Sequence, residues 1–255
     1  LVLFERVEME NANSVGFAKS GSGKSYAVKL EILRSLMLGT DVIVVDPENE
    51  YQHLSAAVGG SFLSISLNSE SRVNPFDLPR AIADESNEDI LRSAVINLLG
   101  LMSLMLGKLD PTEEAIMDRA IWETYGKKDI TANSDFSNIE PPTMQDLVEI
   151  LSGMVGGESL AQRLTKYTQG TFSGIFNQQT NLSLNNQLVV FSVRDLEDTL
   201  RPIAIYVILN YIWNVVRSSL KKRILVIDEA WWMMQHDDSA KFLFGMAKRS
   251  RKYYL

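Results

Sequence analysis

The residues whose types and spacing carry the most chemistry lie near the start of the chain, in Ala18-Lys19-Ser20-Gly21-Ser22-Gly23-Lys24-Ser25. The run matches the phosphate-binding pattern G-x-x-x-x-G-K-[ST] at every fixed position except the first, where Ala18 stands in place of glycine. Gly21 and Gly23 allow the turns that aim successive backbone N–H groups inward at phosphate oxygens, and a helix starting here adds the positive end of its dipole. Lys24 places a cation at the outer phosphates of a nucleotide, and the Ser25 hydroxyl is a hard oxygen ligand for Mg2+. Ser20, Gly21, Ser22, Gly23, Lys24, Ser25 and the following Tyr26 are the expected nucleotide-binding set. Ala18 is tolerable at its position provided its φ is negative. The competing reading, a flexible Gly/Ser linker, does not explain the short β run before the loop or the amphipathic helix after it.

A second cluster is Arg223-Ile224-Leu225-Val226-Ile227-Asp228-Glu229, an apolar run that ends in two carboxylates. This is the Walker B arrangement: Asp228 is placed to hold Mg2+ through its water shell, and Glu229 to orient and deprotonate an attacking water. Alone the pattern is weak, because strand ends often carry acids; behind a phosphate loop it is specific. The adjacent glutamate marks ATPases that carry an extra strand between the P-loop and Walker B strands. The guanine-reading pattern Asn-Lys-x-Asp is absent from the chain, so ATP is the expected nucleotide.

Asp46-Pro47-Glu48-Asn49-Glu50-Tyr51 follows the run Val42 to Val45. In open α/β sheets ligands bind outside the carboxyl ends of the strands, so Glu48 and Glu50 are candidates to face nucleotide or water. A solvated turn with proline at its second position is the alternative. Two basic clusters, Lys221-Lys222-Arg223 and Lys248-Arg249-Ser250-Arg251-Lys252, complete the charged features. In a ring of subunits Arg249 or Arg251 is a candidate for the arginine inserted at a neighbour's γ-phosphate. Cations favouring a helix C-terminus are the plainer use. Trp231-Trp232-Met233-Met234 is either core packing or a partner surface.

The elements that must position these groups can be read from hydrophobic period. A β run over Ser14 to Phe17, the glycine loop, and a helix carrying Ala27, Leu30, Ile32, Leu33 and Leu36 mostly on one face and stopped by Gly39 lead into the strand Val42 to Val45. Ser61 to Ser66 is a weaker strand. From Asp84 to Phe176 the pattern is helical: Asp84 to Gly107, a helix opened by Asp110-Pro111-Thr112-Glu113, one opened by Thr143, and one over Ser159 to Phe176. Strand Leu188 to Val193, a long helix Leu200 to Leu220, a buried strand Ile224 to Ile227 and a helix Ser239 to Lys252 close the chain. The expected fold class is α/β, with a mainly parallel sheet and an inserted all-α subdomain. The expected division is 1–83 and 181–255 as two parts of one nucleotide-binding domain, with 84–180 inserted.

Composition bounds the remaining choices. The 255 residues are 45% hydrophobic and 22% charged, which excludes disorder, collagen and coiled coil as readings of the whole chain. A formal charge of -7 argues against bulk attraction to nucleic acid. With no cysteine, disulfides and thiolate chemistry are excluded, and the two histidines, His53 and His236, do not sit at a metal-ligand spacing. The charged start gives no signal peptide or anchor, and Pro202 to Val216, the longest apolar stretch, falls short of the roughly 20 residues a membrane span needs. The lack of an initiating methionine points to a piece of a longer protein.

Taken together, Lys19 to Ser25, the block Asp46-Pro47-Glu48-x-Glu50-Tyr51, Asn74-Pro75-Phe76, and Leu225-Val226-Ile227-Asp228-Glu229-Ala230-Trp231 occur in that order. In this they resemble the C-terminal motor domain of the VirB/TraC-type traffic ATPases of type IV secretion and conjugation, relatives of the HerA and FtsK pumps. The resemblance runs from about Ser14 to the end. It implies a RecA-like P-loop ATPase domain with an all-α insertion, ATP and Mg2+ as its ligands, and hexameric rings at the cytoplasmic face of the inner membrane. Other secretion-system proteins are the implied partners, with transfer of DNA or protein substrates as the work done. A HerA- or FtsK-like DNA-pumping translocase is the alternative. The family's domain continues into a strand bearing a polar sensor that this chain does not reach, so no sensor is assigned.

Overall fold

The computed structural model describes residues 13–19, 21–79, 85–136 and 139–255. An extended segment expected over Leu1 to Glu8, and the residues Ser20 and Asp84, lie outside the described residues. At the centre is a four-stranded parallel sheet in the order β2-β3-β1-β4. The strands are β1 (Asp41–Asp46), β2 (Ser61–Ser64), β3 (Leu188–Ser192) and β4 (Arg223–Ile227).

β1 is buried along its whole length between β3 and β4, as its uninterrupted β-branched run predicts. Successive side chains serve opposite faces. Val42 and Val44, with Leu188 and Val190, pack under α1 (Lys24–Met37) and α2 (Gln52–Ala57), where Ile32 and Tyr51 close that layer. Ile43 and Val45, with Val189 and Phe191, face the other way. There they join one continuous core with the helices α3 (Asn87–Leu106), α4 (Pro111–Lys127), α5 (Met144–Gly153), α6 (Glu158–Thr168), α7 (Ser173–Phe176) and α8 (Arg201–Ser218). α9 (Trp231–Met234) and α10 (Asp237–Arg249) follow β4.

Local signals account for most helix ends. Asp110 accepts from the N–H groups of Thr112 and Glu113 while Glu113 accepts from the Asp110 N–H, a complete capping box with Pro111 in the first turn. Asp146 does half of this at α5, accepting from the N–H and hydroxyl of Thr143. α1 ends with Gly39 at φ +77, where Gly39 N–H reaches Leu36 O and Thr40 N–H reaches Ser35 O. That left-handed position is the reason a glycine stops this helix.

Several expectations need correction. The β run over Ser14 to Phe17 is not a strand: residues 13–19 are irregular and exposed. β4 is the outer strand of the described sheet on that side, and the run makes no ladder with it, so it has no partner to complete its backbone hydrogen bonds. For the same reason Ile224 to Ile227 is not a fully buried strand; only Arg223 of β4 is buried, and the rest is half-buried. The helix expected over Ser159 to Phe176 is two, α6 and α7. The chain turns at Gln169 and Gly170, whose N–H groups both bond Thr165 O, and a side chain at Gly170 would strike the backbone of Lys166. By length and composition α3 is long and apolar enough to cross a membrane. In the fold, however, Ile90, Leu91, Val95, Leu98, Leu101, Met102 and Met105 are buried in the core.

The segments that enter and leave the helical block are tied side by side. Arg72 N–H donates to Asn181 Oδ1 at 2.8 Å, Asn74 N–H to Thr180 Oγ1 at 2.7 Å, and the Thr180 hydroxyl to Asp77 Oδ2 at 2.5 Å. Asn74 also donates its side-chain amide to Pro142 O and Gln179 Oε1, so the Asn-Pro-Phe turn is a fastening between the two segments.

Candidate active site

Parallel strands bring their carboxyl ends to one edge, and register decides which groups meet there. Val45 pairs with Ile227 and Asp46 with Ser192, and the Asp228 N–H extends the ladder to Val45 O at 3.0 Å. Asp46 and Asp228 therefore end neighbouring strands side by side. The glycine loop arrives at the same edge: Gly21 and Gly23 have φ of +76 and +87, and Gly23 caps α1 so that Lys24 is the first helical residue. Ala18 is not among the residues with positive φ, which is the condition its substitution for glycine required. Gly21, Ser22 and Gly23 are exposed, Ser25 is half-buried in the first turn, and Tyr26 points to solvent.

The Lys24 ammonium lies 2.7 Å from Asp228 Oδ1 and 2.5 Å from Glu229 Oε1, residues more than 200 positions away in the chain. Burial works against its charge, but the hydrogen bonds and charges of the two carboxylates outweigh it and hold Lys24 above the ordinary lysine value. Asp228 is almost fully engaged: Oδ1 also accepts from the Glu229 N–H, and Oδ2 accepts from the Tyr51 hydroxyl at 3.3 Å. Burial, reinforced by the charge and hydrogen bond of Asp228, pushes the Tyr51 hydroxyl up, so it remains a donor. Glu229 has φ +49, an uncommon left-handed conformation for a residue with a side chain, of the kind that costs about 1–3 kcal/mol and gathers at functional sites.

Within Asp46 to Tyr51 the groups turned to the site are the first and the last. Asp46 is completely buried and accepts from the Glu50 and Tyr51 N–H groups, which fixes the turn. Burial raises its pKa, the two N–H groups oppose that, and the charge of Asp228 adds to the rise. Glu48 stands 3.7 Å from Arg201, and the Glu50 side chain is exposed. Tyr51 was missed as a site residue. The only trace of it in sequence is its place in the Asp-Pro-Glu-x-Glu-Tyr block.

Arg249 and Arg251 sit at the opposite end of the molecule from Lys24. α10 runs back from the carboxyl edge, so its last turn lies by the start of β4, where Arg223 N–H meets Tyr254 O. Arg249 lies over the Trp213 ring at 5.3 Å and bonds Gly245 O. Neither arginine serves the site of its own chain.

A family model described as the central domain of the helicase HerA (DUF87) matches residues 16–212. The chain belongs to the HerA central-domain family. Among solved structures, VirB4 of Thermoanaerobacter pseudethanolicus superposes with a TM-score of 0.88 at 28% identity, over 99% of this chain and 71% of that one. The HerA-family chain therefore has a RecA-like P-loop fold and is of the VirB4 type within the HerA/FtsK-related ATPases. The bacterial conjugative coupling protein TrwB aligns over 92% of this chain and 64% of its own at 12% identity, with a TM-score of 0.46, too loose a superposition to carry functional meaning. No curated protein sequence matches significantly.

Proposed function

We propose that this chain is the Mg-ATP-hydrolysing motor module of a type IV secretion system. The observation that carries the reading is the meeting of Lys24 with both Asp228 and Glu229 at the carboxyl edge of the sheet. A lysine at the mouth of a glycine loop, facing one acid suited to metal and one suited to a water proton, is the donor set that ATP hydrolysis requires. Ser25 and Asp228 offer hard oxygens, the ligand type that Mg2+ takes, so the residues present fit that ion. When bound, Mg2+ neutralises charge on the β- and γ-phosphates.

The chain's own residues do the rest. The N–H groups of Gly21 to Lys24 and the start of α1 receive the phosphates, with Ser20 and Tyr26 completing the expected binding set. Lys24 moves from its carboxylates toward the phosphates, freeing Glu229 to take a proton from water as general base. Tyr51 holds Asp228 in direction through its hydroxyl. Arg249 or Arg251 acts on the site of a neighbouring subunit in a homo-hexameric ring, which suits their distance from their own. The helical block 84–180 is the inserted subdomain that transmits motion to other secretion proteins at the inner face of the bacterial membrane.

The test is steady-state ATP hydrolysis by the full-length protein. Glu229→Gln should leave nucleotide binding nearly intact and remove turnover, while Lys24→Ala should weaken both; turnover of wild-type size in Glu229→Gln would end the assignment. The HerA family match favours a second reading, a DNA-pumping translocase. It requires stimulation by DNA that falls steeply with salt, whereas a secretion motor is indifferent to DNA.

A further inference from the structure

Resting on the reading of Glu229 as the general base, we infer that Trp231 is its positioning residue. The indole Nε1–H of Trp231 donates to Glu229 Oε2 at 2.7 Å, while Oε1 takes Lys24 at 2.5 Å. The carboxylate is thus held at both oxygens, by a cation on one side and a neutral donor on the other. Once Lys24 turns to phosphate, the indole is the bond that still fixes the direction of the carboxylate. Being uncharged, it does so without adding a second positive charge beside a group that must accept a proton.

The indole is itself held. Trp231 stacks on Trp232 with ring centroids 4.4 Å apart and planes 23° from parallel. The Arg201 guanidinium lies 5.6 Å over the Trp232 ring and is fastened to Leu196 O at 3.0 Å, Asp198 at 3.3 Å and Glu48 at 3.7 Å. Met233, completely buried, pins the short helix that carries both tryptophans. Trp231 is about half exposed, so its stacking on Trp232 and its bond to Glu229 are the contacts that locate it.

Trp232 supplies an internal control, because its own Nε1 is buried with no hydrogen-bond partner among the described residues. Trp231→Phe and Trp232→Phe make the same change of ring, and only the first removes a bond to Glu229. In ATP turnover by the full-length protein, Trp231→Phe should lower kcat by about 10- to 100-fold, the cost of a misdirected reacting group. KM for ATP should stay within about twofold of wild type, and Trp232→Phe should keep kcat within about threefold. A second measurement needs no Trp231 variant: in this chain labelled with 15N-tryptophan, one of its 4 indole N–H resonances should shift on Glu229→Gln. An unchanged kcat in Trp231→Phe, an equal loss in Trp232→Phe, or indole resonances unmoved by Glu229→Gln overturns the inference. Full turnover in Glu229→Gln instead removes the reading beneath it.

Discussion

The Tyr51 hydroxyl donates to Asp228 Oδ2 at 3.3 Å across 177 residues of chain, inside a contact where Tyr51 is completely buried. It joins the Asp46 to Tyr51 turn to the acid proposed to organise Mg2+. Tyr51→Phe removes this one bond and little volume. Loss of about 1 kcal/mol of stability is expected, read by chemical denaturation. The Mg2+ concentration for half-maximal ATP turnover should rise about 3- to 10-fold while nucleotide binding without Mg2+ is unchanged.

Lys24 has a pKa raised in the folded chain, so its contribution is complete below the unfolded lysine value of about 10.4 and is lost as pH climbs through the higher folded value. Without ligand, Lys24→Met leaves Asp228 and Glu229 facing each other with no cation between. Because the pair is partly solvated, a loss of about 0.5–1 kcal/mol is expected at pH 8. The difference in thermal midpoint between variant and wild type should shrink as the pH is taken above about 11.

Asp77 loses stability in the same direction, as pH rises, but in a much lower window and because its charged form is the disfavoured one. Burial pushes its carboxyl up to about 6, with the Thr180 hydroxyl bond opposing the rise. The folded chain then holds a proton that the unfolded chain has released, so stability from this group is present at low pH and is lost between about pH 4 and 6. Asp77→Asn keeps an oxygen to accept from Thr180 and removes the titration. The variant should be about 1–2 kcal/mol more stable than wild type at pH 7, with the gap closing toward pH 4 in urea unfolding.

Gly60 precedes β2 with its α-carbon pressed against the next strand. A side-chain carbon there would come within 2.8 Å of Leu188 O and 3.0 Å of Ser55 Oγ. Gly60→Ala should cost about 1–3 kcal/mol by forcing β2 away from β3, measured by denaturant midpoint. Gly59→Ala, in open space but at φ +69, tests backbone strain alone and should cost about 1 kcal/mol.

The local features were legible in sequence because they depend on neighbours in the chain. The glycine loop needs only Gly21 and Gly23 at positive φ, β1 only its β-branched run, and α4 only Asp110, Pro111 and Glu113 at capping spacing. Those patterns also named Lys24, Asp228 and Glu229. What no period along the chain could decide is which distant groups meet. The strand order and register set Asp46 beside Asp228, and a turn after β1 sent Tyr51 inward while Glu48 met Arg201. The burial of β4 depended on a partner strand that its outer edge lacks among the described residues, and the role of Trp231 on a left-handed Glu229 that aims the carboxylate back at it. Local propensity acts over a few residues, whereas the site is assembled by hydrogen bonds that span 177 to 205 of them.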